Sequence, residues 1–327
     1  MSRGLSQLRN ENAFNLFRTL VLFFQKNINR FFFLKHLERH FLTTYQTDYS
    51  DEEIGPIFIV GAPRTGSTLL LQLLLNRYHF CYISNIASFF HSCPSTVTFL
   101  AQRILREYGN KDLKSEYGYV SGLMAPSEAG PLMECWFGRD LTRIDVSYRN
   151  IDLVKQSMSA ISHIMGGPFL FKSMKLSLKV EDLAEIFPKA LFANIKREPI
   201  YTAQSIILTR RRLLNSDSEW WSYELPNMEE FMKLEPFEQV ALQIKTIWDL
   251  IEAGKRQLGP WKFIEVTYDD LCHSTKETLS LFKKRCSGNG LILKERGELT
   301  SRLKKSERRL LSKSEWRRLD SMISRVF

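Results

Sequence analysis

The chain has 327 residues, 44% of them hydrophobic and 25% charged, which suits one large globular domain or two small ones and excludes a fibrous or disordered chain. Its net charge of +10 favours anionic ligands, nucleic acid or acidic membrane surfaces without choosing among them. Five scattered cysteines (Cys81, Cys93, Cys135, Cys272, Cys286) show no metal-ligand spacing, and no Asn-x-Ser/Thr sequon occurs; together these point away from a disulfide framework or metal site and towards a reducing, cytoplasmic setting.

The N-terminal stretch "NAFNLFRTLVLFFQKNINRFFFLKHLERHF" is aromatic and basic. Arg18 and Lys26 interrupt it too often for a membrane span, and no signal peptide has the right order of regions. It reads as one or two amphipathic helices over residues 1–54, packed on the core or docked on a membrane surface. The uncharged stretch Tyr78–Gln102 contains Pro94 and two histidines and is not a span either.

From residue 55 to 290 strands and helices alternate, which predicts an α/β domain, a three-layer sandwich around a mostly parallel sheet. Ile57–Val60 reads as a buried strand, Ser67–Asn76 as a helix, Phe80–Ile83 as a second strand and Thr96–Tyr108 as a helix; residues 109–149 read as irregular. Helix Ile151–Met165 stops at Gly166-Gly167-Pro168, and strand Phe169–Phe171, helix Val180–Phe187, strand Ala190–Ile195 and helix Pro199–Leu214 follow. Helix Pro236–Gln257, strand Lys262–Val266 and helix Ser274–Lys284 complete the domain, and residues 291–327 form a basic tail, helical and irregular by turns. Ligand is expected beyond the carboxyl ends of the strands.

Chemistry concentrates in "IFIVGAPRTGSTLL", a strand running into a Gly-bounded turn and a helix. Backbone N–H groups in such a turn, the positive end of the next helix and the hydroxyls of Ser67 and Thr68 form an anion cradle. The phosphate-loop pattern GxxxxGK[ST] would place a lysine where Ser67 stands. Arg64, a planar donor fork suited to a tetrahedral oxyanion, lies inside the loop instead. The loop therefore suits an anion of lower charge than ATP-Mg.

"GAPRTGSTLL" resembles the 5′-phosphosulfate loop of sulfotransferases that use 3′-phosphoadenosine 5′-phosphosulfate (PAPS), closest to the branch with the tyrosylprotein and many bacterial enzymes. The resemblance implies a phosphate-loop fold, PAPS as sulfuryl donor, no metal, and donor contacts from Arg64, Thr65, Gly66, Ser67, Thr68 and Leu69. "KREPIYTAQS" resembles the 3′-phosphate site, with Arg197 followed eight residues later by Ser205 and Glu198 where the family commonly has Asp; Arg210, Arg211 or Arg212 could extend the patch. "FLFKSMK" resembles the family's Lys-Ser/Thr-Pro segment, which implies that Lys172 donates to the oxygen bridging phosphate and sulfuryl group. Met174 stands where the family often has Pro, and Lys175 is a competitor for the role. "VTYDDL" resembles a strand–Tyr-Glu-Asp-Leu–helix segment, implying Tyr268 near the nucleotide and Asp269 and Asp270 capping the next helix.

Sulfuryl transfer needs a group to take the acceptor's proton. The tyrosylprotein branch has a Glu shortly after its second strand, where this chain reads "CYISNIASFF" without a carboxylate. Glu128 in "APSEAGPL", similar to a Pro-x-Glu element of the bacterial branch, leads the alternatives; His91, whose ordinary pKa suits the task, and Glu134 follow. The expected activity is transfer of a sulfuryl group from PAPS to a hydroxyl or amine, with carbohydrate, lipid, peptide tyrosine and small alcohol all open as acceptors. Two rivals stand beside it, a phosphate-loop kinase or hydrolase and a degenerate sulfotransferase fold that only binds. Nothing beyond charge supports nucleic acid as a partner.

Overall fold

The computed structural model describes residues 24–44, 55–105, 113–138, 144, 148–297, 303 and 305–327. The N-terminal stretch before residue 24 and the end of the helix expected to reach Tyr108 lie outside these residues.

Helix α1 (Phe32–Thr44) buries one acidic side chain, Glu38. Its carboxylate accepts from the backbone N–H groups of Ser95 and Thr96, both at 3.0 Å, and so caps a later helix. Strand β1 (Ile57–Val60) is wholly buried, and helix α2 (Ser67–Arg77) leaves it through the Gly-bounded loop. Short α3 (Asn85–Phe89), then α4 (Pro94–Ile104), α5 (Gly130–Phe137) and α6 (Tyr148–Met165) lead to β2 (Leu170–Lys172). A 3₁₀ turn (Met174–Leu178) and α7 (Val180–Ile186) precede β3 (Leu191–Lys196). Helices α8 (Pro199–Leu214), α9 (Met228–Phe231) and α10 (Pro236–Leu258) lead to β4 (Phe263–Thr267), followed by α11 (Tyr268–His273), α12 (Thr275–Gly288) and α13 (Lys313–Val326).

The sheet has the order β2-β1-β3-β4, all parallel. The chain moves one way from β1 to β2 and the other way to β3 and β4. Right-handed crossovers then place the two sets of connecting helices on opposite faces, giving three layers. Strands β1, β2 and β3 are near-continuous apolar runs because both faces are covered, whereas edge strand β4 leaves Glu265 and Thr267 exposed. Phe58 stands at the centre, with the rings of Phe171, Phe187 and Phe192 within 6.4 Å.

Several expectations need correction. Phe80–Ile83 is not a ladder strand. It touches the sheet edge at one parallel bridge, Cys81 to Phe169, while its flanks bond elsewhere: His79 N–H donates to Lys294 and Ser84 bridges Pro126. Residues 109–149 are not irregular throughout, since Gly130-Pro131 opens helix α5 and α6 begins at Tyr148; proline at a first turn starts a helix as readily as it breaks one. The helix expected over Ser274–Lys284 spans Thr275–Gly288, and a short helix not expected, Tyr268–His273, precedes it. Thr267, not an aspartate, caps the short helix, accepting from Asp270 N–H at 3.0 Å. Asp270 answers this threonine, and Asp269 pairs with Lys305.

The final segment carries α13, which opens with a Ser312/Glu315 capping box and packs Trp316, Leu319 and Ile323 into the main core cluster. No helix among the described residues is long and apolar enough to cross a membrane.

Candidate active site

All four sheet strands end at one cleft of about 460 Å³. The loop after β1 supplies Arg64, Gly66, Ser67, Thr68 and Leu69 to its wall. Lys172 is the last residue of β2, Arg197 follows the end of β3, and Tyr268 follows the end of β4. Ser205 comes from the adjoining helix α8, and Glu128 from the loop before α5. Parallel pairing puts the carboxyl ends of neighbouring strands at one level, so residues far apart in sequence converge.

The loop conformation follows from its residues. Gly61 (φ 151°) lies so close to β3 that an added Cβ would sit 2.5 Å from the Ile195 carbonyl. The Ser177 hydroxyl pins the same glycine, accepting from its N–H at 3.0 Å and donating to its carbonyl at 3.1 Å. Gly66 (φ 97°) lies against Tyr268, whose ring carbon would be 2.6 Å from an added Cβ. Arg64 also takes a left-handed conformation, φ 68°. Thr65 is fully buried and does not line the cleft; its hydroxyl donates to the Ala62 carbonyl at 2.8 Å and closes the turn.

The cations of the cleft are linked. Arg64 Nε donates to Ser205 Oγ at 2.9 Å, joining the first loop to the second motif. Arg197 Nη1 donates to the Arg64 carbonyl at 3.2 Å, its guanidinium lies 4.5 Å from the centre of the Tyr268 ring, and Nη2 donates to the Ser306 carbonyl. Burial holds Arg64 below the ordinary guanidinium pKa, and nearby Arg197 pushes the same way against the pull of Tyr117. Two adjacent guanidinium groups in a partly desolvated cleft favour an anion between them. Arg197 Nε is buried without a hydrogen-bond acceptor, with the Glu307 carboxylate 3.7 Å away.

Lys172 is 3% exposed and pairs directly with Glu128, which is 42% exposed and faces the opening. Gly118 makes room for the pair: an added Cβ would lie 2.8 Å from Glu128 Oε1 and 3.4 Å from Lys172 Nζ. Lys175 also lines the cleft but is half-exposed, 3.4 Å from Glu134. Glu134 itself does not line it, and neither does His91. His91 lies in the turn after α3, where burial lowers its pKa and leaves Nδ1 without a partner. Arg210 turns away into the core against Gln239 at 2.9 Å, and Arg211 bridges Asp217 at 2.8 Å and Glu315 at 2.6 Å. Arg212 reaches only the rim, over the Tyr117 ring.

Three contributors escape a reading of motifs. Tyr117-Gly118 and Trp221-Ser222-Tyr223 line the cleft from loops. Ser306 and Glu307 belong to a strap that crosses Arg197, anchored by Gln204 Nε2 donating to the Arg308 carbonyl at 2.8 Å and by Ser306 N–H donating to the Tyr268 hydroxyl at 3.2 Å. The positive φ of Gly118 is hinted at by its residue type, but nothing local to the strap signals that it folds back. No cluster of three or more His, Cys, Asp or Glu side chains that could hold a metal ion occurs among the described residues.

Residues 56–281 match the sulfotransferase family. No curated protein matches the chain. Solved structures with similarity include sulfotransferase STF9 from Mycobacterium avium, 14% identical with a TM-score of 0.48 over 72% of this chain and 64% of that one. A sulfotransferase from Alicyclobacillus acidocaldarius is 14% identical, with a TM-score of 0.42 over 83% of this chain and 92% of that one. The sulfotransferase domain of the Synechococcus PCC 7002 olefin synthase is 16% identical, with a TM-score of 0.36 over 75% and 78%. This chain thus spans just under two thirds of the Mycobacterium avium protein. With the family match extending over more than half of its length, the chain belongs to the sulfotransferase family.

Proposed function

We propose that the cleft binds PAPS and transfers its sulfuryl group to a hydroxyl or amine acceptor, releasing adenosine 3′,5′-bisphosphate. The observation that carries this reading is the joining of two anion-seeking sites by the Arg64–Ser205 hydrogen bond, with the buried Lys172 on the same cleft. One anion site is the loop with its helix N-terminus, which suits the phosphosulfate. The other is Arg197 with Ser205, which suits the 3′-phosphate. The orphaned Nε of Arg197 is a buried donor that an incoming phosphate would satisfy.

In the transfer, the acceptor oxygen or nitrogen forms a bond to sulfur while the bond from sulfur to the bridging oxygen breaks. The acceptor's proton passes to Glu128. The electron pair leaves with the bridging oxygen, and the charge it gains is stabilised by Lys172, a cation fixed by burial before the reaction begins. Glu128 holds this lysine and faces the opening, so one carboxylate both orients the cation and takes the proton.

The test is a screen of alcohol, phenol, sugar and amine acceptors with labelled PAPS, alongside binding of adenosine 3′,5′-bisphosphate and ATP. Transfer together with strong preference for the bisphosphate supports the proposal. Binding of ATP in preference, with no sulfuryl transfer or hydrolysis, would refute it and favour a kinase or hydrolase.

A further inference from the structure

The turn between residues 24–28 and α1 exposes three consecutive phenylalanines: Phe31 is 65% exposed, Phe32 77% and Phe33 69%. The turn is held from within. Asn29 is buried; its Nδ2 donates to the carbonyls of Gln25 at 2.7 Å and Phe89 at 2.8 Å, and its Oδ1 accepts from Ser92 N–H at 2.8 Å. Gln25 Nε2 donates to the Ser88 carbonyl at 3.1 Å. A segment fixed to residues 88–92 by four hydrogen bonds that still exposes three large apolar rings in a row is a constructed surface, since scattered exposed apolar residues do not come as a fixed triplet.

The exposed charges of this segment itself are all positive. Lys26, Arg30, Lys35 and Arg39 are exposed, and the one acidic side chain of residues 24–44, Glu38, is buried as a helix cap. We infer that the tip is a docking surface for an anionic lipid bilayer. Phe31, Phe32 and Phe33 enter the interfacial region, and the four cations rest on lipid phosphates. A second copy of the chain fits poorly, because a symmetric contact would oppose these like charges. The anchoring block is bonded to the loop that carries cleft residues Tyr117 and Gly118: Asn85 Nδ2 donates to the carbonyls of Val120 at 2.7 Å and Gly122 at 2.8 Å.

The experiment is co-sedimentation of the full chain with phosphatidylcholine vesicles, with and without phosphatidylserine. Anionic vesicles should be bound and neutral ones bound at least about tenfold more weakly, since each cation near such a surface contributes roughly fivefold in partition. The triple variant Phe31→Ser/Phe32→Ser/Phe33→Ser should lose about tenfold or more, and Lys26→Glu/Arg30→Glu/Lys35→Glu should lose more still. Both variants alter exposed side chains, and unchanged thermal unfolding and bisphosphate binding would report an intact fold and cleft separately from docking. Equal binding to both vesicle types, retained binding in either variant, or phenylalanine-dependent self-association without vesicle binding would overturn the inference.

Discussion

Replacing Glu128 by Gln removes a negative charge and a proton acceptor while keeping an oxygen for Lys172 Nζ to bond. A positioned general base contributes about 10²–10⁴-fold in rate, or roughly 3–5 kcal/mol at about 1.4 kcal/mol per tenfold. Glu128→Gln should therefore lower kcat for sulfuryl transfer by at least about a hundredfold. Donor affinity should move the other way. The carboxylate lies beside Lys172, where it repels an incoming anion. Two unit charges about 5 Å apart at an effective dielectric of about 20 interact by roughly 3 kcal/mol. Glu128 is 42% exposed, so solvent screening reduces this to about 1 kcal/mol or less, up to roughly fivefold tighter binding. The assays are single-turnover transfer from labelled PAPS and calorimetric binding of adenosine 3′,5′-bisphosphate. His91→Gln, outside the cleft, serves as the comparison and should keep kcat within about threefold, since it makes no contact with reacting groups. A Glu128→Gln enzyme with near-normal kcat, or one that loses turnover and nucleotide binding in proportion, would refute the assignment.

Lys172→Met keeps the volume of the buried stem but removes the cation, and should reduce single-turnover transfer by about 10²–10³-fold, as loss of a positioned transition-state donor does. Calorimetric binding of the bisphosphate, whose 5′-phosphate keeps the bridging oxygen, should weaken by less, about tenfold; an equal loss in both would mean that Lys172 only binds. Gly66→Ala forces a Cβ to within 2.6 Å of the Tyr268 ring at φ 97°, so thermal unfolding should show a loss of about 1–2 kcal/mol and bisphosphate affinity should fall with it. Glu315, held down to about 2 by the Ser312 hydroxyl and by Arg211, sets a pH-dependent term. A depressed carboxylate stabilises above its ordinary pKa and loses that contribution as pH falls through its folded value. Denaturant titrations should thus show Glu315→Gln, which keeps the capping-box bond, weaker than the parent by about 0.5–1 kcal/mol near neutrality, the worth of a carboxylate charge at a helix N-terminus. The gap should close as pH falls from about 4.5 to about 2.

Legibility in the sequence tracked the range of the forces involved. Ile57–Val60, the Gly-bounded turn and helix α2 could be read because apolar runs and glycine backbone freedom act within a few residues. Pro199 likewise marked the first turn of α8. The reading failed where a segment's partners lie far along the chain. Phe80–Ile83 has the composition of a strand, yet its backbone bonds go to residues near 126, 168 and 294. Lys172 and Lys175 differ little in sequence context; burial at the end of β2 beside Glu128 separates them. Arg210, Arg211 and Arg212 formed one basic run, and helical periodicity sent them to the core, to an acidic pair and to the rim.

By itself the sequence determined the Gly-bounded loop after β1 and the family. A turn bounded by Gly61 and Gly66, with Arg64 inside and no lysine before Thr68, is a local conformational and chemical choice that needs no distant partner. The tertiary structure alone decided which groups share a cleft. It brought Glu128 to Lys172, joined Arg64 to Ser205, left His91 outside, and folded the strap of Ser306 and Glu307 over Arg197. Each of those meetings depends on the order of strands in a parallel sheet and on where its crossovers deliver their loops, so the pairing of charges follows from the packing of the whole chain.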